Sequence, residues 1–192
     1  MCARSRGWLR TCYTKRVVKL LTVVGSLQRG SANRALAALV ASRPPPGVEV
    51  EASLSLGELP HYDADLEGAV PDAVGRWRGQ LAAADAVLFA SPEYGHGVSG
   101  VLKNALDWIV RSGELGEKPV AATCAAQGKG RGLLGNAALV QTLRAIDAHV
   151  VWSSPLEVSR ASITSDGRID DPAVEAAVDE LLATLVRAAK SD

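Results

Sequence analysis

No Asp or Glu occurs before Glu49, although nine Lys or Arg residues do. Over the whole chain the imbalance disappears, because 21 basic and 21 acidic side chains cancel. A neutral protein has no field with which to hold nucleic acid or an anionic membrane surface, so neither is expected as a partner. No apolar run is long enough for a membrane span. Cysteine is scarce: three residues, Cys2, Cys12 and Cys124, too few and too scattered for a disulfide framework or a zinc site. That usage suits a reducing cytoplasm, where the protein is expected to reside. Internal repeats are missing. So are the GxGxxG fingerprint, the Gly-Lys-Ser/Thr ending of a P-loop, and the strained elbow that would arm Ser91 or Ser99 as a nucleophile.

What is present is a globular chain of 192 residues, 47% hydrophobic and 22% charged, the size of one domain with a real core. Residues 1–16 stand apart as a basic N-terminal extension. They lack the apolar core of a secretory signal and only weakly resemble a transit peptide, so a mobile tail or a start codon placed too far upstream is expected there. From residue 17 to about 190, apolar runs alternate with helical patterns. Strands are expected at 17–25, 48–54, 86–91, 119–124 and 150–152. Helices are expected at 31–42, 71–84, from 98 or 100 to 111, from the glycine-rich turn at 128–135 to 146, and at the closing stretch marked by Val174, Val178, Leu181, Leu182 and Leu185. Pro44 to Pro46 stop the first helix, and Pro71 suits the first turn of the second. This alternation implies a parallel sheet with helices on both faces.

In such sheets ligands bind at the carboxyl ends of the strands. The first of these loops, residues 25–34 (GSLQRGSANR), offers backbone N–H groups, hydroxyls, an amide and two guanidiniums beside a helix N-terminus, which suits a phosphate. A capped turn, with Ser31 or Ser26 as N-cap, explains the same residues. The third-strand loop, residues 91–108 (SPEYGHGVSGVLKNALDW), joins Pro92, Glu93, Tyr94 and His96 to flexible glycines and an amphipathic helix. Glu93 and His96 could serve as an acid and a base, but nothing completes a triad with them. Trp108 reads as packing, Lys103, Asn104 and Asp107 as a polar helix face, and residues 59–66 as a surface loop. Cys124 reads as a small buried hydrophobe. Lys129 and Arg131, in the fourth-strand loop, could attract cofactor phosphates or simply be solvated.

Two of these segments resemble the NADPH-dependent FMN reductases. That family has Gly-Ser-Leu-Arg-x-x-Ser-x-Asn in the first loop, matched here by Gly25, Ser26, Leu27, Ser31 and Asn33. It has Pro-Glu-Tyr-Asn and then Pro-Gly-x-Leu-Lys-Asn-x-x-Asp-Trp, matched by Pro92, Glu93, Tyr94, Gly100, Leu102, Lys103, Asn104, Asp107 and Trp108. Gln28 stands in place of the family's Arg, Gly95 in place of Asn and Ser99 in place of Pro. The resemblance implies a flavodoxin-like α/β three-layer sandwich with a five-stranded parallel sheet in the order 2-1-3-4-5. The implied cofactor is FMN, with NADPH or NADH as electron donor. The implied flavin-binding residues are Ser26, Gln28, Ser31, Ala32 and Asn33, then Pro92, Glu93, Tyr94, Gly95 and His96, then Cys124 and Gly128. No catalytic side chain and no metal ligand is expected, because the cofactor carries the chemistry. The implied function is an NAD(P)H-dependent FMN oxidoreductase that passes hydride to a small-molecule acceptor such as a quinone, azo compound, chromate or free flavin. It would turn over in ping-pong fashion as a homodimer or homotetramer. A flavodoxin-type electron carrier, or a flavodoxin-like binding protein without enzymatic activity, remains the alternative.

Overall fold

A computed structural model describes residues 16–191. The expected extension therefore lies outside the described residues apart from Arg16, whose guanidinium donates to Asp85. The chain runs β1 (Val18–Val24), α1 (Ala32–Ser42), β2 (Val48–Ala52), α2 (Asp72–Ala83) and β3 (Ala86–Ala90). A short hairpin follows, β4 (Glu93–Tyr94) and β5 (Gly97–Val98), then α3 (Gly100–Asp107), β6 (Pro119–Thr123) and β7 (Ala125–Ala126). The last elements are α4 (Leu133–Ala145), β8 (His149–Trp152), β9 (Leu156–Glu157) and α5 (Pro172–Ala189).

The main sheet has the order β2-β1-β3-β6-β8, and all its pairings are parallel. Counting only its five strands, this is the expected order 2-1-3-4-5. Strand alternation sorts the side chains into two cores. Val87 and Phe89 face one, with α2, α3 and α4; Ala86, Leu88 and Ala90 face the other, with α1 and α5. Trp77 and Trp108 are fully buried in the first core, and each indole N–H finds a carbonyl: Trp77 Nε1 donates to Ala105 O (3.0 Å) and Trp108 Nε1 to Pro60 O (2.8 Å). Burying roughly 150–250 Å² per ring, at about 25 cal/mol per Å², contributes up to about 4–6 kcal/mol for each.

Three expectations shift. Pro71 is the N-cap of α2, extended at φ −60° and ψ 144°, and the helix begins at Asp72, whose carboxylate suits a first turn. The third helix ends at Asp107 rather than 111. There the backbone tightens, with Ile109 N donating to Leu106 O (3.1 Å), as Trp108 turns into the core. The stretch 59–66 is anchored rather than loose: Asn104 Nδ2 donates to Pro60 O (2.9 Å), and Asn104 Oδ1 accepts from Tyr62 N (2.8 Å). Asn104 thus leaves the expected polar face to serve as a clamp. Among the described residues no helix is long and apolar enough to cross a membrane.

Candidate functional site

The loops at the carboxyl ends of β1 and β3 pack closely because Gly25 has no side chain. A Cβ there would lie 2.6 Å from Ser91 Oγ and 3.0 Å from Ser99 Oγ. Gly25 N donates to Ala90 O (2.9 Å), carrying the β1–β3 register one residue beyond the strands. A cleft of about 870 Å³ opens at this crossing. Its size falls within the range of ligand pockets, and it lies where the strand order reverses.

One wall is the start of α1. Ser31 caps the helix, its Oγ accepting from Asn33 N (3.2 Å). Asn33 is buried, and its Oδ1 accepts from Ala125 N (2.9 Å), tying α1 to β7. Ala32 N, at the first helical position, has no protein acceptor among the described residues. Such orphan N–H groups, together with the helix dipole, favour an anion. Gln28 and Gly30 complete this wall.

The second wall is the β4–β5 hairpin. The sequence suggests an open loop at 92–97, whereas the structure has a two-residue turn with Gly95 at φ 57° and His96 at φ 61°. Two successive positive φ values are the type I′ pattern whose twist matches antiparallel strands. Glu93 fixes this hairpin to α4. Its Oε2 accepts from Gly135 N (2.7 Å), and a Cβ on Gly135 would come within 2.7 Å of Glu93 Cβ. The Gly135 N–H holds the Glu93 carboxyl below its ordinary range, with His96 Nδ1, 3.3 Å from Oε1, adding to the effect. The carboxylate therefore anchors a helix start and is not poised as an acid or base.

The floor is Cys124, 3% exposed, with its thiol pushed up to about 11, chiefly by burial and then by the charge of Glu93. Its sulfur packs against Gly132, where φ is +79° and a Cβ would be 2.2 Å from Sγ. Beyond the floor, Arg160 Nε donates to Gln127 Oε1 (3.2 Å), and both residues line the cleft with Arg131, Leu134 and Ile163.

Nine of the expected site residues line the cleft: Gln28, Ser31, Ala32, Asn33, Pro92, Glu93, Tyr94, His96 and Cys124. Three are not brought to its wall. Ser26 turns its Oγ under the loop to accept from Gln28 N (3.3 Å) and borders a separate cavity behind α1. Gly95 forms the hairpin tip, and Gly128 adopts a turn at φ 125° beside the lining residue Gln127. Sequence reasoning missed Ala125, Ala126, Gln127, Leu134, Arg160 and Ile163. The rule that every carboxyl-end loop can contribute pointed at 160–163, after the fifth strand, but no motif marks that stretch.

The chain matches the sequence model of the family described as NADPH-dependent FMN reductase over residues 18–161. It is 37% identical over 164 residues to an NAD(P)H-dependent FMN reductase from Pseudomonas aeruginosa, covering 82% of this chain and 88% of that one. It is 36% identical over 133 residues to a quinone reductase from Escherichia coli K12, covering 67% and 69%. Among solved structures, the flavoenzyme NAD(P)H:(acceptor) oxidoreductase from Paracoccus denitrificans superposes with a TM-score of 0.74 at 24% identity, covering 89% of this chain and 98% of that one, a likeness of fold.

Proposed function

Because the chain belongs to the NADPH-dependent FMN reductase family, we propose that the 870 Å³ cleft is its flavin site and that a quinone or free flavin accepts the electrons. The protein is an NAD(P)H-dependent oxidoreductase with FMN as cofactor. When bound, the flavin supplies two-electron chemistry between a nicotinamide donor and a second acceptor. The residues bind, orient and shape. The start of α1, with Ser31, Ala32 and Asn33, holds the 5′-phosphate. The hairpin at Pro92 to His96 and the floor at Cys124 flank a planar ring, and Tyr94, 58% exposed, stands at the mouth. The fit rests on one observation: an unpartnered helix-start N–H at the strand crossing, facing a hairpin locked in place by Glu93.

The quinone assignment draws support from relatives named quinone reductases. A homodimer or homotetramer is supported by Leu133 and Leu134, each 55% exposed beside the cleft. A cytoplasmic setting fits the free thiol of Cys124. A flavodoxin-type carrier would bind FMN without drawing electrons from NAD(P)H, and membership of a reductase family weighs against that reading.

The test is a visible absorption titration with FMN followed by anaerobic NADPH. Flavin bands that bind and then bleach, and recover on addition of a benzoquinone, are expected. Bound flavin that stays oxidised with both NADPH and NADH would refute the reductase reading. Protein that binds no FMN would refute the assignment of the cleft.

A further inference from the structure

A phosphate monoester carries about −1.5 to −2 charge near neutral pH, yet the α1 wall of the cleft supplies no cation. Gln28 is neutral, and Arg29 does not line the cleft. Arg34 borders the cavity behind α1 and donates its Nε to Gln28 O (3.0 Å). Two guanidiniums do line the cleft, those of Arg131 and Arg160. Neither meets a carboxylate among the described residues.

Connectivity separates the two. Asn33, in the first turn of α1, accepts from Ala125 N in β7 (2.9 Å). Strand β7 pairs with β9. Gln127, just past β7, accepts from Arg160 Nε (3.2 Å), just past β9. A continuous path of strand pairing and hydrogen bonds therefore leads from the start of α1 to Arg160. The turn that carries it is pinned at both ends: Ser159 Oγ accepts from Ala161 N (3.2 Å), and Ser162 Oγ donates to Asp171 Oδ2 (2.8 Å). With Nε committed to Gln127, the two terminal nitrogens are left for a forked contact with an anion. Arg131 instead sits on the glycine loop leading into α4, which packs on the opposite face of the sheet.

We propose that Arg160, oriented by Gln127, is the charged ligand of the flavin 5′-phosphate and sets the preference of this chain for FMN over riboflavin. This rests on the flavin reading above. The experiment titrates the full-length apoprotein with FMN and with riboflavin by fluorescence quenching, at low and high salt. Arg160→Gln should weaken FMN binding about ten- to a hundredfold, leave riboflavin within twofold, and flatten the salt dependence. Arg160→Lys should recover part of the loss. Gln127→Ala, which frees the guanidinium without removing its charge, should give a smaller loss with the same FMN selectivity, and it supplies the answer if Arg160→Gln does not fold. Equal weakening of FMN and riboflavin would overturn the proposal, because the turn would then be only structural. Unchanged FMN affinity with a raised KM for NADPH would also overturn it, assigning the guanidinium to the donor. Wild-type protein that takes up neither flavin would defeat the flavin reading itself, a result distinct from both.

Discussion

Replacing Gly132 with alanine probes the cleft floor most directly. The new methyl group would lie 2.2 Å from Cys124 Sγ and 3.6 Å from the Cβ atoms of Ala126 and Pro155. The thiol has no solvent side to retreat to, since Cys124 is 3% exposed. Two costs combine. Alanine in the left-handed backbone at φ +79° costs about 1–2 kcal/mol, and opening an overpacked contact costs about 1–3 kcal/mol. The sum, about 2–5 kcal/mol, should lower Tm by roughly 4–20 °C for a chain of this size.

The second background separates the two terms. Cys124→Ala removes the sulfur and costs about 1 kcal/mol on its own. In that background Gly132→Ala should retain only its backbone cost, so the double-mutant cycle should show a coupling of about 1–3 kcal/mol. Urea unfolding of the four proteins measures it, provided the m-values agree. Equal destabilisation by Gly132→Ala in both backgrounds would refute the packing argument. A neutral Gly132→Ala would refute the backbone argument as well.

Glu93→Gln should flatten the acid limb of stability. The folded carboxyl lies below its unfolded value, first through Gly135 N–H, so its contribution is full above the unfolded pKa of about 4.3 and is lost as pH falls through the folded value. Urea midpoints should therefore converge between wild type and variant from pH 6 to pH 3, and parallel curves would contradict this. Asn104→Ala removes both bonds to the 60–62 segment and should cost about 1–3 kcal/mol, with faster hydrogen exchange at Tyr62 N–H; unchanged exchange there would defeat the clamp. Cys124, its thiol pushed up to about 11, should resist alkylation at pH 8 in the native protein and react once unfolded. Peptide mapping that finds it labelled equally fast in both states would refute its burial.

The sheet was legible because β1, β3 and β6 are largely apolar runs and β2 alternates apolar with acidic residues; the residues 86–90 stand out as a pure apolar run and are all buried. Strand order was legible only through motif likeness, because periodicity carries no information about which strand neighbours which. The first two cleft loops announced themselves through composition. The hairpin at 93–98 did not, since Gly95-His96 is a weaker turn signal than Asn-Gly and only tertiary contact with α4 fixes it. Gly132 and Gly135 read only as members of a glycine-rich turn opening a helix. Their function lies in the side chains of Cys124 and Glu93, distant in sequence, which need the space a Cβ would fill. Arg160 was invisible for a similar reason: its significance depends on Gln127, brought alongside by the β7–β9 pairing.

The polar residues of the cleft are mostly engaged with one another. Ser31 closes the start of α1, Asn33 joins it to β7, Glu93 joins the hairpin to α4, and Gln127 orients Arg160. The last three of these contacts each link loops from different strands, so together they brace the mouth of the sheet as one frame. Around them the cleft is lined by the start of α1, two guanidiniums, the side chains of Tyr94 and His96, and the buried Cys124. That inventory can hold a phosphate and a flat ring. Asn33 and Glu93, committed to these contacts, act on reactivity through the shape of the frame. Substitutions at Asn33 or Glu93 should accordingly be felt first as weaker flavin binding, with turnover per bound flavin much less affected, a split that flavin titration and stopped-flow reduction of the same variants would measure. A variant of either residue that retains full flavin occupancy yet loses reduction by NADPH would give that side chain a direct part in the reaction and overturn this division of labour.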